Sequence, residues 1–457
     1  MPLSVIILAA GQGKRMHSDL PKVLQPLGGS SLLEHVVAAA QRLDPATIHV
    51  VYGHGGERVP AALSHLDVRW VLQAQQHGTG HAVMQALPAV PEAHDVLVLY
   101  GDVPLVHAAT LRKLAERAAA GTLAMLSARL ADPSGYGRVV RDSNGKVTRI
   151  VEHKDATNTE RAINEINTGL MACNAGRLRG WLANVGNHNA QGEYYLTDVI
   201  AMAVADGVTV DAILAAEESE VAGVNDRAQL AIAERTLRQR NAGALMQQGV
   251  TLRDPERIDV RGTLQCGRDV TIDINCLFEG HVTLGNRVRI GPGAVIKDCE
   301  IGDDTEVLAH SVLDGARIGA RVRIGPFARI RPDTVLADET HVGNFVEIKK
   351  SKLGRGSKAN HLAYVGDAQV GERVNVSAGV ITCNYDGVHK HTTVIGDDAF
   401  IGSDSTLIAP VTIGAGAYIA AGSAINQDAP AGQLSIARAR QTSVPHWQPP
   451  RKREQKD

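Results

Sequence analysis

The sequence predicts an α/β protein whose two halves have different architectures. We expect a Rossmann-like, mostly parallel sheet with helices in the first half and a left-handed parallel β-helix of hexapeptide repeats in the second. A linking α-helix is expected between them. Three observations lead to this prediction: strand patterns alternate with helical patterns at first, a helical segment follows, and aliphatic residues then recur every six positions.

The composition is that of an ordinary globular chain. Its 457 residues suffice for two or three domains, with 44% hydrophobic and 21% charged residues. A net charge of −2 and 3% aromatic residues exclude a broad binding surface for nucleic acid. No apolar run is long enough to span a bilayer, and the five scattered cysteines form no CxxC pair. We therefore expect a cytoplasmic protein that binds neither nucleic acid nor membrane.

The first half alternates short apolar runs with helix-like stretches. The predicted strands are Val5–Leu8, Ile48–Tyr52, Val68–Leu72 and Val96–Tyr100, and the predicted helices are Leu32–Leu43 and Leu111–Ala119. Such alternation is typical of a parallel sheet covered by helices. A ligand is then expected outside the carboxyl ends of the strands.

A helical segment separates the two halves. Asp226 can cap its start and Gly249 can end it, while Leu230, Ala233 and Leu237 fall on one face. We therefore predict a first domain over residues 1–227, a linker helix over 228–248 and a β-helix domain over 249–457. The tail after Arg438, with its basic run Arg451–Arg453, is expected to be irregular.

A six-residue period dominates the chain from about residue 260. Two uninterrupted series of aliphatic residues show it: Ile318, Ile324, Ile330, Leu336, Val342 and Ile348, and then Ile395, Ile401, Leu407, Ile413, Ile419 and Ile425. Each hexad is one short strand and a turn, and three hexads close one triangular coil. The period breaks over residues 384–393, where we predict a long polar loop of the kind that carries function.

A glycine-rich turn follows the first predicted strand. It reads Leu8-Ala9-Ala10-Gly11-Gln12-Gly13-Lys14-Arg15-Met16, with Pro21-Lys22 shortly afterwards. Backbone N–H groups in such a turn approach phosphates, and Arg15 and Lys22 would neutralise their charge. Met16 replaces the third glycine of a dinucleotide fingerprint, and no P-loop spacing is present. A plain strand-to-helix turn is the alternative.

These motifs resemble the sugar-1-phosphate nucleotidyltransferases, whose signature is LxxGxGxRM followed by PK. The resemblance continues along the first half through Gln73, Gly78-Thr79-Gly80-His81-Ala82, Tyr100-Gly101-Asp102-Val103-Pro104, Gly135-Tyr136-Gly137-Arg138, Val151-Glu152-His153-Lys154, Glu165-Ile166-Asn167-Thr168-Gly169 and Gly223-Val224-Asn225. Over residues 3–440 the chain resembles the bifunctional bacterial family that combines N-acetylglucosamine-1-phosphate uridylyltransferase and glucosamine-1-phosphate acetyltransferase activities.

The resemblance implies a set of ligand-binding residues in the first half. For UTP and UDP-N-acetylglucosamine they are Leu8, Ala9, Ala10, Gly11, Lys22, Gln73, Gly78, Thr79, Tyr100, Gly101, Asp102, Gly137, Glu152, Asn167 and Asn225. Asp102 and Asn225 would hold Mg²⁺, with Mn²⁺ left open. The sugar phosphate would attack the α-phosphorus of UTP in line, so that Arg15, Lys22 and the metal position the groups and neutralise charge without a protein nucleophile.

Chemistry-bearing residues interrupt the aliphatic pattern of the second half. Arg331 and Lys349 suit a sugar phosphate. His361 is the group in this cluster that titrates near neutrality, and we predict that it is the general base for acetyl transfer. Glu347 would orient its imidazole. His389 and His391 raise the possibility of a metal, but their irregular polar setting favours a solvated loop.

The family resemblance adds further residues around the acetyl transfer site. It implies Tyr364 and Asn375, with Arg331 and Lys349, for glucosamine 1-phosphate. For acetyl-CoA it implies Ala378, Asn384, Tyr385, Ser403, Ala421 and Arg438. The resemblance also implies a homotrimer assembled through the β-helix domain.

Three functions are compatible with this organisation. The first is the two-step synthesis of UDP-N-acetylglucosamine, a precursor of peptidoglycan and lipopolysaccharide, from acetyl-CoA, UTP and glucosamine 1-phosphate. The second is a single-activity nucleotidyltransferase with a structural or regulatory β-helix. The third is a non-enzymatic scaffold. The charged cluster in the second half favours the first, since a passive solenoid does not need Arg331, Lys349 and His361.

Overall fold

The computed structural model describes residues 1–450 of the chain. The chain divides into two compact units, Met1–Arg240 and a second that begins at Asn241. The helix Arg227–Gln247 passes through this division. The Asp226 carboxylate accepts a hydrogen bond from the backbone N–H of Gln229 at 2.8 Å, as the predicted cap requires, and Gly249 follows the helix with a φ of 92°.

The first unit is built on a mixed, mostly parallel sheet. In spatial order its main strands are Val210–Leu214, Leu123–Arg129, Glu165–Asn174, Asp95–Tyr100, Leu3–Ala9, Thr47–Tyr52 and Arg69–Leu72. The strand Glu165–Asn174 runs antiparallel to both neighbours, whereas the other pairs on this path are parallel. The remaining strands are Arg138–Arg141 and Val147–Val151, which extend the sheet, and the separate pair Pro26–Leu27 and Ser30–Ser31.

Helices cover both faces of this sheet. The α-helices are Leu32–Gln41, Arg58–Ala62, Thr79–Ala86, Ala108–Ala119, Asn158–Arg161, Ala175–Leu182, Asp198–Ala205 and Glu218–Val221, and the 3₁₀ turns are Lys14–Met16, Lys22–Leu24 and Leu87–Ala89. Alternate side chains of the first strand enter two separate cores: Val5 and Ile7 enter one, and Ile6 and Leu8 the other. The predicted α/β sheet is confirmed. The carboxyl ends of its parallel strands lie at the same edge of the sheet.

The second unit is a parallel coil of very short strands. One sheet holds Thr251–Leu252, Thr271–Ile272, Arg289–Ile290, Glu306–Val307, Arg323–Ile324, His341–Asn344, Lys358–His361, Asn375–Val376, Phe400–Ile401, Tyr418–Ile419 and Leu434–Ser435. The other holds Ile258–Cys266, Cys276–Leu284, Val295–Lys297, Glu300–Ile301, Val312–Asp314, Ala316–Ile318, Arg329–Ile330, Thr334–Leu336, Glu347–Lys349, Lys352–Leu353, Tyr364–Gly366, Ala368–Val370, Ile381–Cys383, Thr393–Ile395, Thr406–Ile408, Val411–Ile413 and Ala424–Ile425. A 3₁₀ turn, Pro255–Arg257, precedes this second set.

The aliphatic hexads form the core of the coil, as the six-residue period predicts. Every member of the two uninterrupted series is buried, and Ile324, Ile330 and Ile401 are completely so. The coil is consistent with a left-handed β-helix. Its pairing begins at Thr251, earlier than the predicted start near residue 260, because the first two strands lack the aliphatic–Gly signature.

Two irregular segments depart from the coil. The chain leaves it after Cys383 and rejoins it at Thr393, which is the predicted polar loop. Beyond Ser435 the described residues form neither helix nor strand, and the basic run Arg451–Arg453 lies outside them. Within residues 1–450, no helix combines the length and the apolar character needed to cross a membrane.

Candidate active sites

A cavity of about 240 Å³ opens at the carboxyl ends of the parallel strands in the first unit. This is the edge at which an open α/β sheet binds its ligand. Its lining includes ten of the predicted nucleotide-binding residues: Leu8, Ala9, Ala10, Gly11, Lys22, Gln73, Gly78, Thr79, Tyr100 and Asp102. The cavity therefore brings together segments that lie far apart in the sequence, from the first strand to Glu193.

Lys22 lies between the two predicted metal ligands. Its ammonium group forms an ion pair with the Asp102 carboxylate and donates a hydrogen bond to the Asn225 amide oxygen at 3.1 Å. Both side chains of the ion pair are largely buried. The arrangement presents one carboxylate and one amide oxygen, the hard donors that Mg²⁺ prefers, beside a fixed positive charge that suits phosphate.

Two glycines in the phosphate-binding turn have different roles. Gly13 has a φ of 61°, and a Cβ there would lie 2.6 Å from Cβ of Lys22, so glycine is needed for Lys22 to approach the turn. Gly11 has no atom within 4 Å of the position of a Cβ. The chain itself does not fill the space beside Gly11, which leaves the backbone open to a ligand.

Hydrogen bonds of the Gln73 side chain tie together the two ends of the segment from Gln73 to His81. The buried Gln73 amide donates to the backbone carbonyl of Gly78 at 3.2 Å and contacts the His81 ring at 3.0 Å. Gly78 has a φ of 105°, and a Cβ there would meet the backbone oxygen of Tyr194 at 2.7 Å. These contacts fix the Gly78-Thr79 turn at the start of the helix Thr79–Ala86.

Gly137, Glu152 and Asn167 meet at the predicted sugar site. A Cβ on Gly137 would lie 3.2 Å and 3.3 Å from the Glu152 carboxylate oxygens, and the Asn167 backbone N–H donates to the Gly137 carbonyl at 2.8 Å. The Thr197 hydroxyl donates to Glu152 at 3.0 Å. Burial raises the pKa of Glu152, although the Thr197 hydrogen bond opposes this change.

Tyr100 connects the nucleotide and sugar sites. Burial is the main cause that raises the pKa of its phenol, and the Glu152 charge adds to it, while a hydrogen bond to Thr79 opposes it. Gly169 has a φ of 86°, and a Cβ there would lie 2.5 Å from the Tyr100 ring. The ring is thus fixed beside residues of both predicted sites.

The structure adds residues that the sequence analysis did not name. Val23, Gln76, Ala82 and Glu193 also line the cavity, and Thr197 bonds Glu152. No short motif marks Glu193 or Thr197, since they follow a polar segment far from the other site residues. Arg15 and Gly101 are not among the lining residues; Arg15 is exposed, and its charge acts on Tyr136.

A charged cluster lies on the larger sheet of the second unit. The Arg331 guanidinium donates to the Glu347 carboxylate at 2.8 Å, and the Lys349 ammonium lies 3.7 Å from the Asp367 carboxylate. The Asn384 amide bonds Asp367 and lies 3.5 Å from the Tyr364 hydroxyl. Four predicted residues, Arg331, Lys349, Tyr364 and Asn384, are therefore brought together, and the buried Asp367 that joins two of them was not predicted.

The polar loop folds back on this cluster. Lys390 lies against Lys349, and this neighbouring positive group lowers the pKa of Lys390. Asp386 accepts hydrogen bonds from the backbone N–H groups of Val388 and His389 and from the His391 ring at 2.7 Å, which together lower its pKa. The exposed Tyr385 hydroxyl bonds the Gly387 carbonyl within the same loop. The loop thus has internal hydrogen bonds that fix its shape.

One corner of the coil carries His361 and four of the six predicted acetyl-CoA residues, Ala378, Ser403, Ala421 and Arg438. Backbone hydrogen bonds connect successive coils along this corner. In each, the N–H of the later residue donates to the carbonyl of the earlier one: Leu362 to Asn344 at 3.1 Å, Gly379 to Leu362 at 3.2 Å, Asp404 to Ala378 at 2.8 Å and Gly422 to Ser403 at 2.7 Å. The Arg438 guanidinium donates to the Ala421 carbonyl at 2.6 Å. We call this row, from Asn344 through His361, Ala378, Ser403 and Ala421 to Arg438, the coenzyme corner.

Two predictions about the second site differ from the observed contacts. The His361 ring bonds Asn344, through Nδ1 to Oδ1 at 2.8 Å, while Glu347, the predicted orienting group, is engaged with Arg331. The register explains this, since Asn344 pairs with His361 whereas Glu347 pairs with Tyr364. Asn375 lies on the smaller sheet and bonds Ser377 at 3.0 Å, apart from the Arg331 cluster on the larger sheet.

The two units define a class of protein, a nucleotidyltransferase joined to a hexapeptide-repeat transferase. Family models support each part. Residues 5–147 match the MobA-like NTP transferase domain, residues 260–354 the GMPPB C-terminal domain, and residues 392–427 the bacterial transferase hexapeptide with six repeats.

Relatives similar over the whole chain identify the family. The chain is 56% identical over 452 residues to "Bifunctional protein GlmU" of Aromatoleum aromaticum, covering 99% of both chains. It is 56% identical to the protein of that name from Alkalilimnicola ehrlichii, covering 99% of this chain and 97% of the relative, and 54% identical to that from Chromobacterium violaceum, covering 99% of both. The chain belongs to the GlmU family of bifunctional proteins.

Proposed function

We propose that this chain makes UDP-N-acetylglucosamine in two steps. The second unit transfers the acetyl group of acetyl-CoA to glucosamine 1-phosphate, and the first unit then transfers uridylate from UTP to the product and releases pyrophosphate. The observation that carries this proposal is the presence of two separate polar sites, one in each unit, in a member of a bifunctional family. A single-activity enzyme with a passive β-helix gives no reason for the charged cluster around Asp367.

In the uridylyl transfer, the residues of the first unit position the reactants and neutralise charge. Lys22 and Arg15 would face the phosphates, and Gln73, Gly78 and Thr79 would bind the nucleotide. The sugar phosphate oxygen bonds to the α-phosphorus as the bond to the leaving pyrophosphate breaks, so no protein nucleophile takes part. Gly137, Glu152 and Asn167 would hold the N-acetylglucosamine moiety.

Asp102 and Asn225 are the residues that would hold Mg²⁺, with Mn²⁺ as the alternative. Their oxygens converge on the Lys22 ammonium, so the donor set already faces a positive charge and fits a hard cation that takes its other ligands from water and phosphate. Bound there, the metal ion would stabilise the negative charge that develops on the phosphate oxygens.

In the acetyl transfer, His361 would accept the proton of the attacking amine. The nitrogen bonds to the thioester carbonyl carbon and the coenzyme leaves as its thiol. Arg331 and Lys349 would hold the sugar phosphate, with Tyr364 and Asn375 at the sugar. Acetyl-CoA would lie along the coenzyme corner and beside Asn384 and Tyr385, which explains why Ala378, Ser403, Ala421 and Arg438 succeed one another there.

Hexapeptide repeats suggest oligomerisation, and we propose a homotrimer formed through the second unit. A trimer would allow Asn375, which lies apart from the Arg331 cluster within one chain, to complete the site of a neighbouring copy. We also propose a cytoplasmic location and domain limits of 1–227, 228–248 and 249–457. Sedimentation equilibrium of the purified chain tests the trimer through its mass.

A single incubation tests the proposed function. The purified chain receives glucosamine 1-phosphate, acetyl-CoA, UTP and Mg²⁺, and free thiol and pyrophosphate are both followed. We expect both products, with pyrophosphate release dependent on acetyl-CoA. Pyrophosphate that forms without acetyl-CoA, in the absence of thiol, would instead support the single-activity nucleotidyltransferase.

A further inference from the structure

His361 has one side-chain hydrogen bond partner on the coenzyme corner, Asn344. The two residues stand opposite each other in the parallel register of the strands His341–Asn344 and Lys358–His361. Asn344 Oδ1 lies 2.8 Å from His361 Nδ1. Among the described residues, His361 Nε2 forms no hydrogen bond within the chain, and the His361 side chain is exposed.

The amide oxygen of Asn344 favours one tautomer of the neutral His361 ring. Because a carbonyl oxygen only accepts, the contact between Oδ1 and Nδ1 is a hydrogen bond when Nδ1 carries the proton, and Nε2 of the neutral ring then holds the free lone pair. This is the tautomer that a base acting through Nε2 needs. The amide also differs from a carboxylate, because it orients the ring without adding a negative charge.

No other nearby group accepts a hydrogen bond from the His361 ring in place of Asn344. Glu347 is paired with Arg331 at 2.8 Å and stands opposite Tyr364 in the register. Besides His361, the ionisable groups on the two strands are His341 and Lys358, and neither forms a hydrogen bond with the His361 ring among the described residues. Burial, together with the charges of Arg323, Lys358 and His361, lowers the pKa of His341. The next coil presents Ser377 and Ala378, which are uncharged.

We propose that Asn344 is a positioning residue that holds His361 in its Nδ1–H tautomer and aims Nε2 at the substrate amine. The proposal rests on the proposed role of His361 as the general base. It replaces the carboxylate–imidazole pair expected from the sequence with a neutral amide–imidazole pair.

Acetyl transfer by the full chain tests this, with uridylyl transfer by the other unit as an internal control. For Asn344→Ala we expect kcat for acetyl transfer to fall about 10- to 100-fold, with KM for glucosamine 1-phosphate within about twofold of wild type. For Asn344→Asp we expect the acid limb of the pH profile of kcat/KM to move upward by about one pH unit, because a carboxylate stabilises the protonated ring. A purely structural role would leave that limb in place.

Three further variants separate the possible outcomes. Asn286→Ala removes another asparagine that bridges neighbouring coils, through Asp303 at 3.0 Å, and should acetylate normally. His341→Gln should keep the wild-type pH profile, which excludes His341 as the titrating group. His361→Ala should be inactive in acetyl transfer.

The two proposals fail in different ways. Acetyl transfer retained by His361→Ala overturns both the general base and the role of Asn344. An inactive His361→Ala beside an Asn344→Ala with wild-type kcat, or an Asn344→Asp with the wild-type pH profile, overturns the role of Asn344 alone.

Discussion

The ammonium group of Lys22 contacts the carboxylate of Asp102, a residue eighty positions later in the chain. Asn225 joins the pair from a third segment, with its amide oxygen 3.1 Å from the same ammonium group. The sheet brings Lys22 and Asp102 together. The strands Leu3–Ala9 and Asp95–Tyr100 are parallel neighbours, so the turns that follow them lie at the same edge. One fixed cation and two oxygen donors are thereby placed at the mouth of the nucleotide cavity.

The first prediction concerns Asp102. Asp102→Asn keeps the shape of the side chain but removes its charge, so it should lower kcat/KM for uridylyl transfer on the order of 100-fold or more. Acetyl transfer should remain at the wild-type level because its proposed residues lie in the other unit. Parallel assays of pyrophosphate and free thiol measure both. Loss of both activities in a folded protein would contradict the assignment of uridylyl transfer to the first unit and acetyl transfer to the second.

Removal of divalent metal provides the second prediction. Dialysis against a chelator should abolish pyrophosphate release and leave thiol release intact, since the proposed acetyl transfer uses only side chains of the chain. Added Mg²⁺ should restore the uridylyl activity, and titration with Mn²⁺ shows whether that ion replaces it. Uridylyl transfer that persists after chelation would refute the metal role of Asp102 and Asn225.

The third prediction is the reverse of the first. His361→Ala should reduce acetyl transfer by about 10²- to 10⁴-fold, the usual contribution of a general base. Pyrophosphate release from UTP and N-acetylglucosamine 1-phosphate should be unchanged, which also serves as the control for folding of the first unit. A variant that still releases thiol at the wild-type rate would show that another group accepts the proton.

Gly137 gives the fourth prediction. In Gly137→Ala, the new methyl group would lie 2.9 Å from Cγ2 of Ile150 and close to both carboxylate oxygens of Glu152, so Glu152 must move. We expect kcat/KM for N-acetylglucosamine 1-phosphate to fall about 10- to 100-fold because of this displacement. Gly180→Ala, in the helix Ala175–Leu182, is the matched control, since nothing lies within 4 Å of its Cβ. Equal kinetics for the two variants would argue against a sugar site at Gly137.

The fifth prediction concerns the stability of the first unit. Asp95 is 2% exposed, its Oδ1 has no hydrogen bond partner among the described residues, and burial raises its pKa. Its ionisation therefore destabilises the native state as the pH rises from the unfolded pKa of about 3.9 through the raised native pKa. Asp95→Asn should be more stable than wild type above that range, by about 1 kcal/mol, and the advantage should disappear towards pH 3.

Urea unfolding of wild type and Asp95→Asn at several pH values measures this difference. The urea concentrations at which the two proteins are half unfolded should be similar at low pH and should differ increasingly as the pH rises. Asp206→Asn is a suitable control, because Asp206 is exposed and its carboxylate accepts a hydrogen bond from the Trp181 indole N–H at 2.7 Å. A pH-independent difference for Asp95→Asn would show that packing, not ionisation, is responsible.

The sequence alone determined both architectures, for a physical reason that differs between them. In the coil, each hexad packs only on its neighbours, so a local period such as Ile324, Ile330 and Leu336 specifies the fold. In the first unit, alternating strand and helix patterns specify the class of fold. They did not reveal that Glu165–Asn174 runs antiparallel to both neighbours, because strand direction depends on the path of the chain.

For the site residues, too, local sequence patterns did not reveal contacts that depend on the path of the chain. Motifs located Lys22, Asp102 and Arg331 because their chemistry is tied to short patterns, whereas Asp367, Thr197 and Glu193 acquire their places only through contacts across the fold. The partner of His361 was decided by register. Glu347 is nearer to His361 in sequence, but a coil of seventeen residues places Asn344 directly opposite it. Sequence determined which groups are present, and tertiary structure decided which of them touch, since a hydrogen bond depends on distance in space.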